Sequence, residues 1–112
     1  MFDFHYYCTL HSIEPDIVTL EFGLNERIYG DTFAENLQLM IDNIHAHNSD
    51  IEVYVVMPFR MRKGAHTNKY NIDEEAYTYN MSCMLSCETL TDCTLIPTWF
   101  ILNDRYDYNT IN

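Results

Sequence analysis

The sequence predicts an α/β chain with about three parallel strands, at 16–22, 51–57 and 94–100, joined by crossover helices at 32–47 and 73–88. Three observations carry that expectation. The strand segments are short apolar runs rich in β-branched and aromatic residues, bounded by Pro, Gly and an Asn-Ser-Asp cluster. Between them lie segments of helical length whose apolar residues recur at three- and four-residue spacing. Strand–helix–strand twice in succession favours right-handed crossovers and a parallel sheet, with ligands beyond the C-terminal ends of the strands.

Ahead of the first strand, Phe4, Tyr7, Cys8 and Leu10 have the spacing of a short amphipathic helix within 2–12, and Pro15 ends it. Ile17, Val18, Leu20 and Phe22, interrupted by Thr19 and Glu21, read as a mostly buried strand. A loop follows over 25–31. Thr32-Phe33-Ala34-Glu35 fits a capping box. Phe33, Leu37, Met40, Ile41 and Ile44 then form one apolar helix face, closed by Asn48-Ser49-Asp50. Segment 51–57 carries a single charge, Glu52, and stops at Pro58, which suits a central strand.

Residues 59–70 form a loop holding Arg60, Arg62, Lys63 and Lys69, four of the six Lys and Arg residues in the chain. Such cations could meet an anionic partner, but scattered surface charge is the commoner explanation. Asn71 or Asp73 caps the next helix, and Glu74 and Glu75 sit at the favourable end of its dipole. Ala76, Tyr77, Asn80, Met81, Met84, Leu85 and Glu88 continue it, with Cys83 and Cys87 flanking its apolar face. Pro97 marks the third strand as an edge strand or ends it early.

A chain of 112 residues supports one modest core, so 1–112 reads as a single domain. With 47% apolar residues it is a folding sequence, not a disordered acidic one. The net charge of −11 argues against nucleic acid, which wants a cationic face. No apolar stretch approaches the roughly 20 residues of a membrane span, and the start lacks the basic residues of a signal peptide. A soluble, cytoplasmic location is expected. Cys8, Cys83, Cys87 and Cys93 read as reduced, partly buried thiols.

The most informative segment is Gly23-Leu24-Asn25-Glu26, directly after the first strand. A strand that ends in a Gly turn and presents an amide side chain aims N–H donors at a developing oxyanion. From Pro15 to Glu26 the chain resembles the third sequence block of the SGNH (GDSL-type) hydrolases: a strand reading Pro-Asp-Ile-Val, then Gly-x-Asn-Asp. Glu26 replaces the Asp, keeping a carboxylate but shifting its reach by one methylene. The downstream order of helices and strands also follows that family.

This resemblance implies a partial flavodoxin-like three-layer sandwich and hydrolysis of acyl esters by serine attack. It implies an acylated carbohydrate, lipid ester or other small ester as substrate, and no cofactor. Gly23 by its backbone N–H and Asn25 by its side-chain amide would form the oxyanion hole. The family's nucleophile block, Gly-Asp-Ser, is not found ahead of the first strand, and no His follows Asp104 to supply the late Asp-x-x-His block. The chain is therefore read as the truncated middle of such a domain, inactive by itself.

Blander readings stand beside these. Gly23 and Asn25 are ordinary turn residues. His45 and His47, two apart, point to different sides of a helix and read as a solvated helix end, not a metal pair. Cys83, Cys87, Cys93 and His66 lack the spacing of a zinc knuckle, so no metal is assigned. Ser12, Ser49, Ser82 and Ser86 sit on no strand-to-helix elbow, and Cys8 near His5 and His11 is explained equally well by a helix facing a core.

Two functions follow. One is a split esterase whose Ser and His blocks come from another polypeptide or an upstream segment. The other is a non-enzymatic α/β binding or assembly module, whose open edge on the first strand invites a homodimer or a partner chain. A flavodoxin-like ligand binder ranks below both, because Leu24-Asn25-Glu26-Arg27 is neither glycine-rich nor hydroxyl-rich.

Overall fold

Each expected strand forms, and each is shorter than its apolar run: β1 is Ile17–Glu21, β2 Glu52–Val56 and β3 Thr94–Ile96. The computed structural model describes residues 3–22, 32–58 and 73–99. β3 shortens most, because Pro97 brings no N–H to a ladder and the chain turns helical at Thr98 and Trp99. The strands pair in the order β1-β2-β3, all parallel, with Ile17 opposite Glu52 and Tyr54 opposite Thr94. Helix α1 spans Phe4–His11, α2 Phe33–His47 and α3 Asp73–Ser86, the last running into a 3₁₀ turn at Cys87–Thr89.

Register decides which side chains meet. Leu20 and Leu95 both lie opposite Val55, and Val18 lies opposite Val53, so these residues share one face of the sheet. That face meets the helices. Phe4 and Cys8 of α1, Phe33, Leu37, Ile41 and Ile44 of α2, Val53 and Val55 of β2, and Cys83 and Met84 of α3 form one buried cluster. Successive right-handed crossovers that step in the same direction along a sheet leave their helices on the same side. The described residues thus supply two adjoining layers of the sandwich, while on the other face Ile17 is 56% exposed and Glu52 and Thr94 are exposed.

Polar contacts fix the ends of these elements. The Asp3 carboxylate accepts the Tyr6 N–H at the start of α1, and Ser12, left-handed at φ 52°, closes it with N–H bonds to Cys8 and Thr9 carbonyls. The Asn43 side-chain carbonyl accepts the Phe4 N–H at 2.8 Å, joining α1 to α2. Gln38 makes a two-way link to the turn before β3, donating to the Thr91 carbonyl at 3.2 Å and accepting the Thr91 N–H at 2.9 Å.

Several local expectations need correction. β1 is half exposed, not mostly buried, since among the described residues it has a strand on one side only. The buried face of α1 is narrow: Phe4 and Cys8 are in the core, whereas Tyr7 and Leu10 are exposed. The capping box does not form, because Thr32 has ψ near 4° in place of an extended cap conformation and its hydroxyl accepts from Asn36 instead. On α3 the buried stripe is Asn80, Cys83, Met84 and Cys87, so the cysteines sit at its centre and Leu85 is 51% exposed. Asp73 is the first described residue of α3, and its side chain lies outside the described residues. The side chains of Ala76 and Tyr77, the cap candidate Asn71, the basic loop 59–70 and the tail from 103 lie outside the described residues.

Candidate functional site

The C-terminal rim of the sheet is where β1 delivers the chain into Gly23-Leu24-Asn25. Glu21 lies opposite Val56, so β1 and β2 end side by side. Phe22 is the last described residue on the β1 side, and Gly23, Asn25 and Glu26 lie outside the described residues. On the other side the rim is well tied. The Met57 N–H donates to the Ile96 carbonyl at 3.0 Å, and the Thr98 hydroxyl donates to the Met57 carbonyl. Met57 and Trp99 are buried beneath it.

His5, His45 and His47 lie at the opposite end of the sheet. Helices in a crossover run against the strands, so the end of α2 lies beside the start of β2. There His45 Nε2 donates to the Ile51 carbonyl at 2.9 Å. His47, expected in solvent, is only 7% exposed at its side chain. Its Nε2 donates to the Glu14 carboxylate at 3.1 Å, and its Nδ1 lies 2.9 Å from His5 Nδ1. In a neutral His47 ring the Nδ1 is then the acceptor and His5 the donor. Phe4 meets the same ring edge-on at 5.5 Å. Sequence reasoning missed this cluster, because its partners lie far apart in the chain.

Three of the thiols, Cys8, Cys87 and Cys93, are held in the neutral form. Burial, with the Glu14 carboxylate adding to it, pushes the Cys8 thiol up. Burial, with Cys83 and Cys93 adding to it, pushes Cys87 up to about 12. Cys93 is raised by burial and then by Asp92. A neutral thiol is a poor attacking group. His5 turns to His47 and His11 to Tyr7, so the structure does not assemble Cys8 with either histidine. All four cysteines are free thiols.

Among the serines, Ser12 caps α1, Ser49 lies in the turn after α2, and Ser82 is exposed on α3. The Ser86 hydroxyl donates to the Cys83 carbonyl at 2.8 Å. None of these is at the rim. Among the described residues no group of three His, Cys, Asp or Glu side chains could hold a metal ion, and no helix is long and apolar enough to cross a membrane.

The chain matches the GDSL-like Lipase/Acylhydrolase family over residues 3–110. No curated protein and no solved structure gives a match.

Proposed function

Because the chain belongs to the GDSL-like lipase/acylhydrolase family, we propose that it supplies the oxyanion-binding part of an acyl-ester hydrolase. The serine and histidine blocks come from elsewhere in the assembly. What supports this reading is the family match together with sequence position: β1 ends at Glu21, two residues ahead of Gly23, and parallel α/β sheets place ligands beyond the C-terminal ends of their strands. The Gly23 N–H and the Asn25 side-chain N–H₂ donate to the oxygen that becomes negative as the ester carbonyl turns tetrahedral. Such donors are worth most when the site is built before the reaction begins.

The test uses a short-chain chromogenic acetate ester and a serine-reactive phosphonate. The isolated chain should give no turnover and no labelled serine. Adding a polypeptide that carries Gly-Asp-Ser and Asp-x-x-His blocks should give turnover, and Asn25→Ala should then lower kcat by about 10²–10³-fold. Turnover indifferent to Asn25 would sink the oxyanion role. A labelled serine on the isolated chain would sink the idea that the nucleophile comes from outside it.

A second reading, an assembly module without catalysis, is favoured by the outer edge of β1. The Asp16 carbonyl accepts the Glu52 N–H at 3.0 Å, so in a parallel ladder the backbone groups of Ile17, Thr19 and Glu21 point away from β2. Unpaired edge groups recruit another strand. On this reading the protein sediments as a homodimer and Thr19→Pro, which removes one outward N–H, makes it a monomer. A wild-type monomer at all concentrations tested would exclude it.

A further inference from the structure

Where α1 meets the end of α2, two imidazoles face each other. His5 Nδ1 and His47 Nδ1 lie 2.9 Å apart, with ring centroids 5.0 Å apart and ring planes tilted by 52°. The two residues are 42 positions apart in the chain, so it is tertiary packing and not a local turn that joins them. His47 is firmly placed. Its side chain is 7% exposed, Phe4 meets its ring edge-on at 5.5 Å, and its Nε2 donates to the Glu14 carboxylate at 3.1 Å. With the hydrogen of the neutral ring held on Nε2, the His47 Nδ1 lone pair is turned to His5.

Two nitrogens so close repel unless a cation lies between them. One occupant is a proton carried on His5 Nδ1. The other is a metal ion: His5 keeps its hydrogen on Nε2 instead, and both Nδ1 atoms become ligands with no net loss of protons from the neutral rings. Metal–imidazole bonds of about 2.0–2.1 Å that meet at a right angle place their nitrogens about 2.9 Å apart, against about 3.3 Å at the tetrahedral angle. The observed separation is that of adjacent positions around a square-planar or tetragonal ion, the geometry of Cu²⁺ and Ni²⁺. The Glu14 contact fits the same reading, because a metal-ligating His donates its other ring N–H to a carboxylate or carbonyl that fixes its tautomer. A net charge of −11 also draws cations to the protein.

We infer that His5 and His47 form a two-imidazole site for a divalent transition-metal ion, Cu²⁺ in preference to Ni²⁺, with Glu14 orienting His47. Among the described residues no group of three His, Cys, Asp or Glu side chains converges, so water completes the coordination and the site is an open one. The bound ion clamps the first turn of α1 to the last turn of α2. Nothing in this inference depends on the acyl-ester reading.

The probe is Cu²⁺ added to the purified chain. The first equivalent should give an axial electron paramagnetic resonance spectrum with coupling to two ring nitrogens. It should broaden the ring resonances of His5 and His47 before those of His11 and His45. His5→Ala should keep the circular-dichroism spectrum of the wild type and lose one nitrogen coupling. Glu14→Ala should weaken the first equivalent by about 10–100-fold, as loss of an outer partner does, and His5→Ala by at least as much. Copper that binds both variants as tightly as the wild type would overturn the proposal, as would first broadening at the other histidines or no uptake by the folded wild-type chain. If His5→Ala does not fold, the order of broadening in the wild type decides.

Discussion

β1 and β2 are neighbouring strands of equal length, five residues each, and their sequences are similarly rich in β-branched residues. They differ in surroundings. In β2, Val53 and Val55 are at most 3% exposed, with strands on both sides and helices above. In β1 no residue is buried, and Ile17 stands 56% exposed. Apolar composition reports what a strand can bury, but burial itself depends on how many neighbours arrive. Among the described residues, β1 therefore has unspent capacity on its outer edge and its far face.

The largest expected effect lies at the buried member of the pair. Val55→Asp puts an unpaired charge where Leu20, Leu95 and the helices converge, and should cost more than about 4 kcal/mol, enough to unfold the chain in a urea titration. A folded Val55→Asp variant would mean that β2 is not the centre of the core.

Next is alkaline loss of stability through Cys87, beneath the same core. Its thiol is raised from 9.0 to about 12, so the folded state favours the neutral form. This contribution is fully present below pH 9 and is lost as pH rises from 9 toward 12, by up to about 1.4 kcal/mol per pH unit. Melting temperatures between pH 8 and pH 11 should fall along that slope, and Cys87→Ala should flatten it. An equal slope in the variant would assign the effect to other groups.

A smaller effect should appear where β1 is anchored. His47 holds Glu14, just ahead of β1, and removing its ring should cost about 1–3 kcal/mol through the lost bonds and the lost Phe4 contact. A double-mutant cycle with Glu14→Ala separates the bond from the packing, and strict additivity would mean that the bond contributes nothing. The smallest is Ile17→Ser, which should change the stability of the monomer by no more than about 0.5 kcal/mol. A large, concentration-dependent loss would instead show that a partner covers this face and would narrow the contrast between the strands.

Legibility followed the same division. α2 was plain in the sequence because Phe33, Leu37, Ile41 and Ile44 repeat at helical spacing and all four are buried. β2 was plain because Glu52 is its single charge and Pro58 stops it. α3 was read with its face rotated: cysteine packs as a small hydrophobe, yet Cys83 and Cys87 drew less weight than Leu85, which faces solvent. Thr32-Phe33-Ala34-Glu35 carried the letters of a capping box, but a cap needs an extended backbone at Thr32 that the chain does not adopt there. His47 looked solvated because a helix end gives no hint of Glu14 and His5 arriving from elsewhere. The site was legible only as a motif, Gly23 and Asn25 after a strand, since spacing alone cannot distinguish an oxyanion hole from a turn.

The parallel register has a consequence for how the chain is made. Ile17 pairs with Glu52, so β1, α2 and β2 are complete before residues 73–99 leave the ribosome, and with α1 they already hold Phe4, Phe33, Leu37, Ile41, Ile44, Val53 and Val55. Contacts of moderate sequence separation form before distant ones. The first half of the chain can therefore collapse during synthesis into a nucleus onto which α3 and β3 dock, with Gln38 waiting for the Thr91 backbone to arrive.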